Sequence, residues 1–165
     1  MAQTALGDNI ANTVGDLPSV GSSTPSFTLT KGDLTEITQA DLAGQRVVLN
    51  IFPSLDTKTC ATSVRKFNEI AAGLDNSRVL CVSADLPFPQ ARFCGAEGLT
   101  NVTTASTFRS DFGSAYGVKL ADSKMAGLMA RAVVVLDEKG TVLHSQLVPQ
   151  IGQEPDYDAA VASLG

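Results

Sequence analysis

The run Val47-Val48-Leu49-Asn50-Ile51-Phe52, closed by Pro53, decides how this chain folds. Five of its six residues are apolar and they do not alternate with polar ones. That pattern suits a strand buried on both faces, as in a sheet with helices on either side. The pattern then changes period. Cys60, Val64, Phe67, Ala71 and Leu74 recur at steps of four, three, four and three, which lines one face of a helix that ends near Gly73.

Outward from this strand–helix unit the chain repeats the theme. Arg78 to Ala84 reads as a second buried strand, and Pro89 to Ala96 as a short helix with proline at its start and Gly95 and Gly98 at its finish. Phe108 to Tyr116 reads as another short helix, closed by Gly117. Ala132 to Leu136 is a third buried strand. Asp137-Glu-Lys-Gly140 turns it into an antiparallel partner over Thr141 to Val148, and Asp156 to Leu164 is a closing helix capped by Asp156. Upstream, Phe27 to Thr30 and Leu34 to Thr38 flank Lys31-Gly32-Asp33 as a hairpin with a glycine turn, and Gln39 to Gly44 is one helical turn. Residues 1–25 are an extended or short-stranded lead-in. The expectation is a single α/β domain over residues 1–165 with a thioredoxin-like fold: a mixed central sheet flanked by helices, with an extra N-terminal β-hairpin.

The composition narrows the function. The 165 residues are 44% hydrophobic and 18% charged, ordinary for a globular protein. The net charge of -5 disfavours nucleic acid as a partner. The longest apolar runs fall far short of the roughly 18 residues of a membrane span. No signal peptide is visible, which points to the cytoplasm. Three cysteines, at 60, 81 and 94, are too few and too odd for a secreted disulfide framework. One histidine, His144, and no CxxC leave no zinc ligand set, and no cofactor is expected.

Cys60 is placed for chemistry. The buried strand ends at Pro53, a loop follows, and Cys60 falls in the first turn of the next helix. Strand ends are where α/β sheets hold ligands. A helix N-terminus offers free N–H groups and partial positive charge, which favour a thiolate. Thr57, three residues earlier, could bring its hydroxyl near the sulfur, and Pro53 stiffens the loop. Read alone, though, a helix cysteine on an apolar stripe serves packing as readily as catalysis. Cys81, between Leu80 and Val82, reads as core. His144 and Arg92 read as structural or solvated. Met125 and Met129 are open between packing and pocket lining.

The PxxxTxxC pattern of Pro53, Thr57 and Cys60 resembles the active-site motif of the peroxiredoxins. Asn50 to Pro53, Cys60 to Phe67, Ser83 to Phe88, Arg92 to Leu99 and Ala130 to Val135 together resemble the bacterial thiol peroxidase branch, the atypical two-cysteine peroxiredoxins. The resemblance runs from about Pro25 to Leu164. It implies that Cys60 is the peroxidatic cysteine, oxidised by hydrogen peroxide or organic hydroperoxides to a sulfenic acid. It implies that Cys94 is the resolving cysteine, and that Thr57 and Arg131 complete the site. A homodimer recycled by thioredoxin is implied as well. Because the two cysteines are read on different helices, closing their disulfide is expected to need local unwinding. Two other readings are a redox sensor using the same disulfide as a switch, and a disulfide reductase, which the missing CxxC disfavours.

Overall fold

The computed structural model describes residues 1–165. Nine strands form: β1 (Gln3–Leu6), β2 (Asn9–Asn12), β3 (Thr28–Lys31), β4 (Glu36–Thr38), β5 (Arg46–Ile51), β6 (Ser77–Ser83), β7 (Thr103–Ser106), β8 (Ala132–Leu136) and β9 (Val142–Leu147). β1 and β2 make a small antiparallel hairpin of their own, and the other seven form one mixed sheet in the order β4-β3-β7-β6-β5-β8-β9. β5, β6 and β7 run parallel; β8, β9, β3 and β4 are added antiparallel to their neighbours. Helices α1 (Lys58–Ala71), α2 (Pro87–Glu97), α3 (Phe112–Ala115) and α4 (Tyr157–Ala162) cover it. This is the thioredoxin-like arrangement that the sequence implied.

The continuous apolar run of β5 now has its reason. Val47, Leu49 and Ile51 face one core with Leu80, Val82, Val134, Phe112 and Tyr116, while Val48 and Phe52 face the other with Val79, Cys81, Val133, Val64 and Phe67. A strand with a core on each side cannot alternate. Cys60 lies in the second core, where α1 and α4 pack.

Four details differ from the expectation. β7 was not foreseen, because Thr103-Thr-Ala-Ser106 is short and mostly polar; its place beside β6 and its burial come from tertiary pairing. The helix expected over 108–116 is confined to α3. Ser106 and Ser110 hydroxyls accept from the backbone N–H groups of Phe108 and Phe112, each at 3.2 Å, and so hold turns in place of a helix. α2 begins at Pro87, two residues early; both Pro87 and Pro89 fall in its first turn, where no N–H is needed. In the β3–β4 turn the left-handed residue is Leu34 (φ 69°), not Gly32. Gly32 is instead small because a Cβ there would come within 3.0 Å of the Ala91 side chain of α2.

Gly117 (φ 69°) closes α3 and lets the lead-in pass close beside it; a Cβ there would press into the Asp16 backbone. Gly117→Ala is therefore expected to destabilise by about 3 kcal/mol, combining left-handed strain with overlap against backbone that cannot yield. Denaturant unfolding of the variant beside the parent checks this.

Candidate active site

The parallel β5 delivers the chain to the loop 52–57 at its C-terminal end, with Phe52 and Pro53 buried. Thr57 is the N-cap of α1 in extended conformation, and Cys60 is the third helical residue. Cys60 is completely buried. Its sulfur has one charged neighbour: Arg131 Nη2 donates to Cys60 Sγ at 3.1 Å. Arg131 precedes β8, whose Ala132 pairs with Ile51 of β5. Antiparallel pairing thus brings the start of β8 beside the end of β5, and residues 71 positions apart meet.

Arg131 is only 1% exposed. Its Nε donates to the Ile151 carbonyl at 2.7 Å, and its Nη1 has no partner. Ile151 is itself anchored by the N-terminal hairpin. The Ala5 N–H donates to Pro149 O at 3.0 Å, and the Ile151 N–H donates to Ala5 O at 2.8 Å. A buried guanidinium needs hydrogen-bond acceptors for its five N–H groups. The Cys60 sulfur is one of them, and the unused Nη1 is a donor for one further acceptor.

Thr57 sits at the mouth, exposed. Its hydroxyl donates to Ser54 O at 2.9 Å, and its side chain makes no capping bond. A hydroxyl whose proton is committed inward keeps its lone pairs for an incoming donor. Behind the cysteine, the Ser63 hydroxyl donates to Cys60 O at 2.8 Å and accepts from buried Asn50 Nδ2 at 3.2 Å. The sequence reading missed Ser63, Asn50 and the Ile151 carbonyl, none of which carries a local signal.

Cys94 lies on α2, half-buried and unpaired. Burial pushes its thiol up, with the neighbouring Thr104 hydroxyl of β7 working the other way. Arg65 of α1 ties the two helices on their outer side, bonding Glu97 at 2.8 Å and lying over the Phe93 ring. The two cysteines are unbonded in this state: the Cys60 sulfur is held by Arg131 at the start of β8, and Cys94 lies on α2, which packs on β7.

Arg92 is exposed, and Met129 is core packed against Gly113. His144 is part-buried, which lowers its pKa, and its Nε2 has no hydrogen-bond partner. Cys81 is fully buried, and burial pushes its thiol up to about 12. Its ionisation in the fold is thus suppressed relative to the unfolded chain, near 9. The stability this group contributes is complete below about pH 9 and declines as pH rises toward 12, at up to about 1.4 kcal/mol per pH unit. Cys81→Ala is expected to flatten that decline, read from unfolding midpoints at neutral and alkaline pH. It should leave peroxide consumption unchanged.

Residues 19–161 match the Redoxin family. Over all 165 residues the chain is 59% identical to the thiol peroxidase of Mycobacterium tuberculosis, covering 99% of that protein. The chain belongs to the thiol peroxidases of the redoxin family. A thiol peroxidase of Corynebacterium glutamicum is 54% identical over 164 residues, with 99% of each chain covered. A peroxiredoxin-like protein from Aquifex aeolicus superposes with a TM-score of 0.94 at 39% identity, covering 99% of this chain and 96% of that one. Thiol peroxidases are peroxide-reducing oxidoreductases. No helix is long and apolar enough to cross a membrane.

Proposed function

We propose that this thiol peroxidase reduces hydrogen peroxide and organic hydroperoxides at Cys60, with Cys94 as resolving cysteine. The observation that carries the reading is the 3.1 Å contact between Arg131 Nη2 and Cys60 Sγ, with Arg131 Nη1 left over. The Cys60 thiolate attacks one peroxide oxygen and the O–O bond breaks. The sulfur becomes a sulfenic acid, and the departing alkoxide or hydroxide takes a proton to leave as alcohol or water. Arg131 balances the negative charge throughout, and Thr57 accepts a hydrogen bond from the peroxide O–H. Pro53 keeps the loop in shape beneath them.

In the second step the Cys94 thiol displaces water from the sulfenic acid and forms an intramolecular disulfide. A disulfide needs Cα atoms within about 7 Å, so α1 and α2 unwind locally to close it. A thioredoxin-type dithiol then reduces it by exchange. The enzyme acts as a single domain in the cytoplasm, where three unpaired cysteines stay reduced. It works as a homodimer, for which exposed Leu86, Phe88 and Phe108 near the site supply an apolar face.

The test is one equivalent of cumene hydroperoxide added to the reduced protein. The expected result is a mass lower by two hydrogens and a Cys60–Cys94 cross-linked peptide, both absent in Cys60→Ser. A cross-link through Cys81, or three unreacted thiols, overturns the assignment. Repeated turnover with thioredoxin distinguishes a peroxidase from a sensor that oxidises once.

A further inference from the structure

Between the two cysteines lies a polar cluster that the mechanism leaves unused. Asp85 is half-buried in the turn from β6 to α2. Its Oδ1 accepts from the Ser54 hydroxyl at 2.7 Å. Its Oδ2 accepts from the Leu55 N–H at 2.8 Å and from the Ser83 hydroxyl at 2.7 Å. Ser54 and Leu55 belong to the loop that leads to Cys60, and Ser54 O in turn takes the Thr57 hydroxyl and N–H. On the other side, buried Ser83 Oγ accepts from Gln90 Nε2 at 3.1 Å. Gln90 is on α2, one helical turn before Cys94, and is completely buried. One carboxylate therefore fastens the loop before the first cysteine to the helix that carries the second.

We propose that Asp85 is a positioning residue that sets the balance between two states. One is the closed state, in which Cys60 meets peroxide beside Arg131. The other is the opened state, in which Cys60 meets Cys94. The proposal rests on the reading of Cys60 and Cys94 as disulfide partners. The two steps of the reaction make opposite demands. Oxidation needs the loop and the first turn of α1 in place; closure needs them, and the start of α2, released. Bonds to a charged acceptor are about twice as strong as neutral ones, so Asp85 weights the balance toward the closed state more than any neutral residue of the cluster. Weakening it should slow the first step and speed the second. A residue that merely stabilises the fold would not divide the two in this way.

Asp85→Asn keeps size and shape but removes the charge and one acceptor oxygen, so three donors face one oxygen and an N–H2 group. Quenched-flow mass spectrometry, trapping sulfenic acid and disulfide over time, gives both rate constants. The expected result is Cys60 oxidation about ten-fold slower and Cys60–Cys94 closure several-fold faster than in the parent. The fraction over-oxidised to sulfinic acid at excess peroxide should also be lower. Ser54→Ala, which removes one of the three bonds, should show the same division in smaller measure, and it serves if Asp85→Asn does not fold. Gly117→Ala is the control for lost stability alone, with both rates unchanged. Equal changes in both steps, or no change in either, in the folded cluster variants overturn the proposal. A parent enzyme that oxidises at Cys60 but forms no Cys60–Cys94 disulfide shows instead that the resolving assignment is wrong, and the proposal falls with it.

Discussion

Replacing Cys60 by serine lowers peroxide consumption by roughly 10⁴-fold or more, to the background of the uncatalysed reaction. The reason is chemical. A serine hydroxyl beside Arg131 is not ionised at neutral pH, and an oxygen nucleophile has little affinity for a peroxide O–O bond. Sulfur also occupies a site where nothing else can substitute. Cys94 lies against β7, and Cys81 is sealed in the core with its thiol pushed up to about 12. The substitution is nearly isosteric and keeps a donor–acceptor at the Arg131 fork, so the thermal midpoint should move by only a few degrees. Steady-state peroxide assays together with a melting curve check both halves. Residual activity within ten-fold of the parent would place the nucleophile at another cysteine.

Arg131→Met is expected to slow Cys60 oxidation by about 10²–10³-fold, the usual effect of deleting one preorganised donor from a developing anion. Arg131 Nη2 bonds the sulfur, its Nε is held by Ile151 O, and its Nη1 is left without a partner; in the proposed reaction that Nη1 is the donor to a peroxide oxygen. Arg131→Lys should recover only a small part of the loss, because one ammonium cannot serve Sγ and the Ile151 carbonyl in the same geometry. The methionine variant also leaves that buried carbonyl unpaired, at a cost of about 1–3 kcal/mol. Rapid-reaction kinetics on variants shown to be folded separate the two effects. An Arg131→Met oxidation rate close to the parent's would remove Arg131 from the site.

How much of this could be read in the sequence depended on whether the signal was local. β5 and α1 were legible because their periods differ and are carried by adjacent residues; Cys60 could be placed at their junction, but only the PxxxTxxC resemblance separated it from a packing cysteine. Arg131 was not readable in that way. Nothing near it in sequence marks a buried cation, and its partner is supplied by the antiparallel pairing of β8 with β5; only the family resemblance pointed to it. β7 was invisible for a related reason, since its burial is imposed by β6 and β3 rather than by its own residues. Asp85 is the instructive case. A carboxylate in a turn between a strand and a proline-led helix carries no local signal of burial. Its three hydrogen bonds come from a loop 30 residues earlier and from its own strand end, and no periodicity announces them. Thr57 was singled out for its spacing to the sulfur, three residues ahead, whereas its hydroxyl is used three residues behind, at Ser54 O.

The hairpin at the start of the chain has a consequence for the order of synthesis. Ala5 is translated long before the segment it grips, Pro149 to Ile151. Arg131 gets its anchoring carbonyl only when that segment is in place. On the ribosome, where chains emerge N-terminus first, Cys60 is translated long before Arg131 can be seated beside it. The nascent chain therefore carries Cys60 without its guanidinium neighbour, and the sulfur–guanidinium pair is assembled only once residues 149–151 have emerged.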